Sequence, residues 1–257
     1  MIAQAADPDD PAEGHRFLAR ILRAEGDLGG ARTELEAARA AVPGNGPHSA
    51  ALTGAILLDL ANFYAIGVRN PATAVAYYDQ ALQCGGLSPG ATHAAAINAG
   101  MLEASQGHFA AAIRRIDERL AAAPPGSITA EDMVKLLTSQ ASFALSAQDV
   151  AGARARYQRI WDEFGARNDR AIVHTGIQLA RWISPITADQ CAARVSMCQT
   201  LFAKLDAVRA ANGGVLPRKF DGLENQVRVL VADCADCAGQ AQAAAEARRQ
   251  LGLPPRQ

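Results

Sequence analysis

From about Pro11 onward, apolar residues return at three- and four-residue steps, in blocks separated by short clusters of Gly, Pro, Asn and Asp. That spacing places apolar side chains on one face of a helix, and the separators are residues that end helices or turn the chain. The pattern predicts helices over about 11–25 and 28–42, 49–66 and 71–84, 89–106 and 109–123, and 129–146 and 150–164. It continues more loosely with 169–183 and 187–211, then 218–236 and 238–251. No stretch reads as a strand. Residues 1–10 are small, acidic and Pro-punctuated, a tail. Pro11 suits a first helical turn, Thr129 stands three residues before Asp132 in a loose capping arrangement, and Pro185 breaks a helix.

The blocks repeat in pairs. The second helix of each pair carries an alanine at Ala31, Ala74, Ala112 and Ala153, at intervals of 43, 38 and 41 residues. Four residues later stands a large side chain: Leu35, Tyr78, Ile116 and Tyr157. The turns before these helices read Gly26-Asp27-Leu28, Arg69-Asn70-Pro71, Gly107-His108-Phe109 and Gln148-Asp149-Val150. Glycine takes a positive φ at a helix end without penalty, and Asp or Asn caps the next helix through its side-chain oxygen. His108 occupies one such capping position.

This arrangement resembles the tetratricopeptide repeat family. Ala19, Ala61, Gly100 and Ala141 stand where the family keeps a small first-helix residue against the second-helix alanine. The spacing is longer than the 34 residues of the standard unit, and Glu103 occupies a position where a large apolar residue is expected. The likeness is clear over 11–165 and continues through 166–257 as divergent helical repeats of the same solenoid. It implies an all-α, right-handed superhelical solenoid of about six antiparallel helix pairs. In such a stack one pair cannot cover its own apolar face, and neighbours bury a continuous core. The implied function is non-catalytic protein or peptide binding in a concave groove lined by first helices.

Composition narrows the alternatives. The chain has 257 residues, is 49% hydrophobic and only 5% aromatic, and carries a formal charge of −1. A strand-rich fold would draw on β-branched and aromatic side chains, and a near-neutral chain offers no general attraction for nucleic acid. No apolar run of the length needed to span a membrane is expected. Ala3-Gln4-Ala5 has the form of a signal-cleavage boundary. No phosphate-binding loop, nucleophile elbow or HExxH metal motif occurs, and the five histidines are isolated. The expectation is a chain that is not an enzyme and has neither cofactor nor metal. Trp161 and Trp182 are expected to fill core gaps.

Two groups of candidate residues emerge. The family resemblance points Arg16, Arg20, Arg23, Asn62, Asn98 and Lys135 into the groove. Asn62, Asn98 and Lys135 match three of the five positions at which some members grip a peptide's C-terminal carboxylate, while Leu58 and Ser139 replace the other two. A gentler version has the two amides bonding an extended peptide backbone, with the cations selecting acidic side chains or a terminus. The second group is Cys191, Cys198, Cys234 and Cys237. On antiparallel helices the most nearly level pairing is Cys198–Cys234 with Cys191–Cys237, which implies an oxidising compartment, periplasmic or secreted. Reduced, buried thiols in a cytoplasmic protein remain the alternative. A zinc site fits the spacing poorly, and Cys234-Ala-Asp-Cys237 follows no βαβ pattern that would mark a redox motif. A small-molecule, metal or redox sensor built on these cysteines is the alternative function.

Overall fold

The computed structural model describes residues 11–44, 46–183, 187–234 and 249. Among the described residues the chain is all-α. The helices are α1 (Pro11–Glu25), α2 (Leu28–Ala40), α3 (Pro47–Asn62), α4 (Pro71–Gln83), α5 (Pro89–Ser105), α6 (Phe109–Ala122), α7 (Ala130–Ser146), α8 (Val150–Phe164), α9 (Arg170–Trp182), α10 (Ala188–Ala211) and α11 (Leu223–Cys234). A π-helical turn, Phe63–Gly67, extends α3, and a 3₁₀ turn, Arg218–Phe220, precedes α11. The expected helix over 218–236 is therefore broken at Asp221-Gly222, where Gly222 takes φ +77°. The expected last helix, 238–251, lies outside the described residues except for Arg249.

The chain divides into two compact units, 1–148 and 149–257. Helices α7 and α8, expected as one pair, thus belong to different units. In the first, α1/α2, α3/α4 and α5/α6 are helix hairpins; α3 packs on both α1 and α2, α5 on α4, and α7 on both α5 and α6. In the second, α9 packs on α8, α10 on α9, and α11 on both α9 and α10.

The repeated residues make the turns and the packing. Gly26, Arg69, Gly107 and Gln148 adopt φ of +88°, +57°, +81° and +61°. Asp27, Asn70 and Asp149 then accept from Gly30, Thr73 and Gly152 backbone N–H groups at 2.8, 3.1 and 2.8 Å. His108 takes the fourth such place, but its side chain makes no capping bond. Ala31, Ala74, Ala112 and Ala153 are wholly buried, as are Ala61 and Ala141, and Leu35, Tyr78, Ile116 and Tyr157 are buried beside them. At Gly100 a Cβ would lie 3.0 Å from the Phe143 ring, so the missing side chain eases the close approach of α7. Each buried Leu or Ile side chain contributes roughly 1.5–3 kcal/mol.

Residues 47–67 correct one expectation. Their helix is 21 residues long with mean hydropathy 1.5, apolar and long enough by those measures to cross a membrane. Here Leu52, Ile56, Leu60 and Phe63 are buried with α1 and α2 residues in one core cluster. A helix packed on several sides is apolar nearly all round.

The core of the second unit gathers Val173, Ile177, Val195, Leu201, Phe220 and Val227. Trp161 packs on Gly176, where a Cβ would meet its ring at 2.7 Å, and Trp182 lies against Tyr157 with ring centroids 5.6 Å apart. Both tryptophans are packing residues. Lys204, buried, donates to the Arg167 carbonyl at 3.0 Å and Asn168 Oδ1 at 3.3 Å. It ties α10 to the turn between α8 and α9, and its burial lowers its pKa.

Candidate functional site

The candidate residues of the first unit fall into three local sets. In the first, Arg16 and Arg20 both reach across to Asp59 of α3. Arg16 Nε donates to Asp59 Oδ2 at 2.9 Å, and Arg20 Nη2 to Oδ1 at 3.1 Å. Arg16 also donates to both Glu13 oxygens at 2.9 Å. The stripe that reads as free cations in the sequence is thus partly neutralised within the fold. Arg20 stays exposed, and with Arg23, Asp59, Ala19, Leu35 and Phe63 it lines a small cleft between α1 and α3.

The second set centres on Tyr78. Buried on α4, it donates its hydroxyl hydrogen to Asn62 Oδ1 at 2.7 Å. Burial raises the Tyr78 pKa, and the neighbouring Asn98 side chain of α5 opposes the rise, so the phenol stays protonated and acts as donor to Asn62. The Asn62 amide spends its oxygen on this bond and keeps its NH₂ group uncommitted to it.

Lys135 belongs to a third set. Its ammonium is 2.7 Å from Glu131 and 3.8 Å from Asp132 on its own helix. Asp132 lies 3.6 Å from Nδ1 of His93, a buried histidine of α5, and Arg119 of α6 meets the other ring nitrogen at 3.2 Å. Desolvation, then the Arg119 charge, lowers the His93 pKa. At the two remaining clamp positions Leu58 packs against the core and Ser139 donates to the Lys135 carbonyl at 2.9 Å.

Sequence reasoning missed Asp59 and Tyr78. A lone acid in the apolar run Leu57-Leu58-Asp59-Leu60 was the available signal for the first. It also read Glu103 only as a departure. Arg115 of α6 grips Glu103 with both ends of its guanidinium, at 2.6 and 3.1 Å, and bonds Asp79 of α4 as well. The Glu103 hydrogen bonds are the main reason the Arg115 pKa is raised.

In the second unit Cys191 and Cys198 are fully buried on α10. Arg209 reaches Glu224 at 2.8 Å, and Arg194 lies 4.0 Å from Asp233. The start of α11 therefore lies against the end of α10, antiparallel. The Cys234 side chain and Cys237 lie outside the described residues. No group of three or more His, Cys, Asp or Glu among the described residues is placed to hold a metal. A cleft of about 310 Å³ is lined by Asn168, Asp169, Val208, Asn212, Lys219 and Phe220.

No family model and no curated protein sequence matches the chain. Its fold does have counterparts. Over 97% of this chain and 86% of the other, it is similar to the C-terminal part of a TPR repeat-containing protein from Cytophaga hutchinsonii, with a TM-score of 0.62 at 13% identity. The chain has the tetratricopeptide-repeat fold. Pseudomonas aeruginosa pilF is similar with a TM-score of 0.49 at 15% identity over 95% of this chain and 91% of that one. A tetratricopeptide repeat protein from Parabacteroides merdae gives 0.46 at 15% over 94% and 92%. In the tetratricopeptide-repeat frame, Arg20 and Asn62 occupy the same position, one residue after the small residue of their first helices, and Asn98 stands two before its own.

Proposed function

We propose that this chain is a non-catalytic protein-binding scaffold that holds an extended peptide segment against the first helices of its 1–148 unit. The observation that carries this reading is the Tyr78–Asn62 hydrogen bond, in which a buried phenol fixes an amide on a first helix, with Asn98 of the next first helix neighbouring the same phenol. An amide held on one side offers its other group in a defined direction, which suits the alternating donors and acceptors of a peptide backbone. Arg20, Arg23 and Lys135 add selection for acidic side chains or a C-terminal carboxylate, and Arg16 serves by holding Asp59. The charge contribution is moderate, because Asp59, Glu131 and Asp132 already face these cations.

The test starts from peptides selected on the wild-type chain from a random displayed library. Their affinities are then measured for the triple variant Asn62→Ala, Asn98→Ala, Lys135→Ala. The expected result is a folded variant that binds at least tenfold more weakly, a loss of about 1.4 kcal/mol. Unchanged affinity in a folded variant removes these residues from the site.

The antiparallel packing of α10 and α11 allows a second element of the reading. We infer that cysteine bridges join them, expected as Cys198–Cys234 with Cys191–Cys237, and with them a periplasmic or secreted location. Mass mapping of non-reduced peptides tests this. Four free thiols would end both the bridges and the compartment assignment.

A further inference from the structure

The cleft of the second unit lies between two helix ends of opposite partial charge. One wall is the last turn of α10 with Val208, Ala211 and Asn212, and another is the Asn168-Asp169 turn that starts α9. Pro217, Lys219 and Phe220 form the third side. Carbonyl groups collect at a helix C-terminus and favour a cation, whereas an N-terminus favours an anion. At about 310 Å³ the cleft is large enough for a small molecule.

The polar groups on the walls have one side committed, which fixes what the other side offers. Lys204 is a donor only, and it bonds Asn168 Oδ1 at 3.3 Å, so Asn168 keeps its NH₂ group as a donor for the cleft. At the end of α10 the Val208 carbonyl only accepts. It takes Asn212 Nδ2 at 2.7 Å, which leaves Asn212 Oδ1 as an acceptor. Asp169 is committed on both oxygens. Its Oδ1 accepts from the Ala171 and Ile172 N–H groups at 3.0 and 3.1 Å, and Oδ2 stands 2.7 Å from Arg167 Nε. Lys219 is the exception. It is exposed, its ammonium lies 5.7 Å from the Phe220 ring centroid, and among the described residues no carboxylate pairs with it. Between these groups the walls are apolar, with Val208, Ala211, Pro217 and Phe220.

We propose that this cleft binds an apolar α-amino acid as the free zwitterion. Its carboxylate takes the Lys219 ammonium and the Asn168 NH₂ group. Its ammonium goes to Asn212 Oδ1 at the negative end of α10, and its side chain lies along Val208, Ala211 and Pro217. A carboxylate alone leaves Asn212 and the α10 end unanswered, and an amine alone meets Lys219 as a like charge. The site lies wholly within the second unit, whereas the peptide site belongs to the first.

The experiment is a ligand-observed NMR titration of the full chain with L-leucine and L-phenylalanine. Two leucine analogues accompany them: 4-methylpentanoate, which lacks the ammonium, and leucinol, which lacks the carboxylate. Leucine or phenylalanine is expected to bind with a Kd of about 1 mM or below, and leucine about tenfold more tightly than either analogue. Lys219→Met removes the cation. Asn168→Asp still accepts from Lys204 but puts an anion where the donor stood. Each variant is expected to weaken amino-acid binding about tenfold with an unchanged circular dichroism spectrum. Both positions are exposed, and Asn168→Asp keeps the Lys204 bond, so it carries the test even where Lys219→Met disturbs its turn. The proposal is overturned if neither amino acid binds at about 10 mM, if leucine binds no better than its analogues, or if Asn168→Asp leaves binding unchanged.

Discussion

Tyr78 donates its hydroxyl hydrogen to Asn62 at 2.7 Å from the middle of a helix that supplies no other part of the candidate site. A residue that the repeat places for packing thus also sets the direction of a surface amide. Tyr78→Phe keeps the ring and removes the link, and should cost about 1 kcal/mol of stability. Peptide affinity should fall as well, because Asn62 is then free to turn. Urea unfolding and binding to selected peptides check the two parts separately; lost stability with intact affinity would confine Tyr78 to packing.

Arg115, Glu103 and Asp79 join α6, α5 and α4 through side chains of which Glu103 is the least exposed, at 13%. Removing the cation alone strands that carboxylate. Arg115→Met is expected to destabilise by roughly 2–3 kcal/mol, below the range for a fully buried pair because Asp79 is partly solvated. Adding Glu103→Leu should return most of the loss. If the double variant is no better than the single one, the ion pairs are not what Glu103 is there for.

His93 and His174 both have pKa values lowered mainly by burial. As pH falls through the ordinary histidine range near about 6.5, the unfolded chain takes up protons that the folded chain refuses. Stability is therefore fully present above that range and is lost as pH drops toward the folded-state values. Melting temperature should fall between neutral and mildly acidic pH. His93→Gln should flatten its share of the slope, and an unchanged slope would remove that assignment.

Arg69 holds φ +57° at a turn where Gly26 and Gly107 occupy the matching places. A left-handed conformation costs a side-chain-bearing residue about 1 kcal/mol. Arg69→Gly is expected to recover part of this and raise the unfolding midpoint in denaturant. A lower midpoint would mean that the Arg69 side chain contributes more than its backbone loses.

Gly176 is the opposite case. A Cβ there would stand 2.5 Å from Leu201 and 2.7 Å from the Trp161 ring. Gly176→Ala should cost about 1–3 kcal/mol through overpacking, despite the helical preference of alanine. Calorimetry would register the change as a lower melting temperature, and a neutral result would show that Trp161 has room to shift.

Helix order, turn positions and most of the core in the described residues were readable from the chain itself. They depend on contacts a few residues apart: three- and four-residue apolar spacing, Asp or Asn after a left-handed turn residue, and one alanine per second helix. Arg69 and Gln148 read only as turn residues, and the structure gave them the left-handed conformation of Gly26 and Gly107. What Asn62, Glu103 and Arg16 do depended on partners 12 to 43 residues away, as with Arg115 to Glu103 and Arg16 to Asp59. Periodicity marks which face a residue shares but not which opposite charge or hydroxyl stands across from it. So Arg16 read as a free cation until Asp59 was found beside it, and Glu103 as an anomaly until Arg115 supplied the countercharge. Phe17, Leu18 and Ile21 of α1 had the same ambiguity. They have the spacing of core residues, and only the stacked helices decided that they stay exposed. A hydrophobic period records that a face is suited to burial, while packing determines which neighbour arrives to bury it.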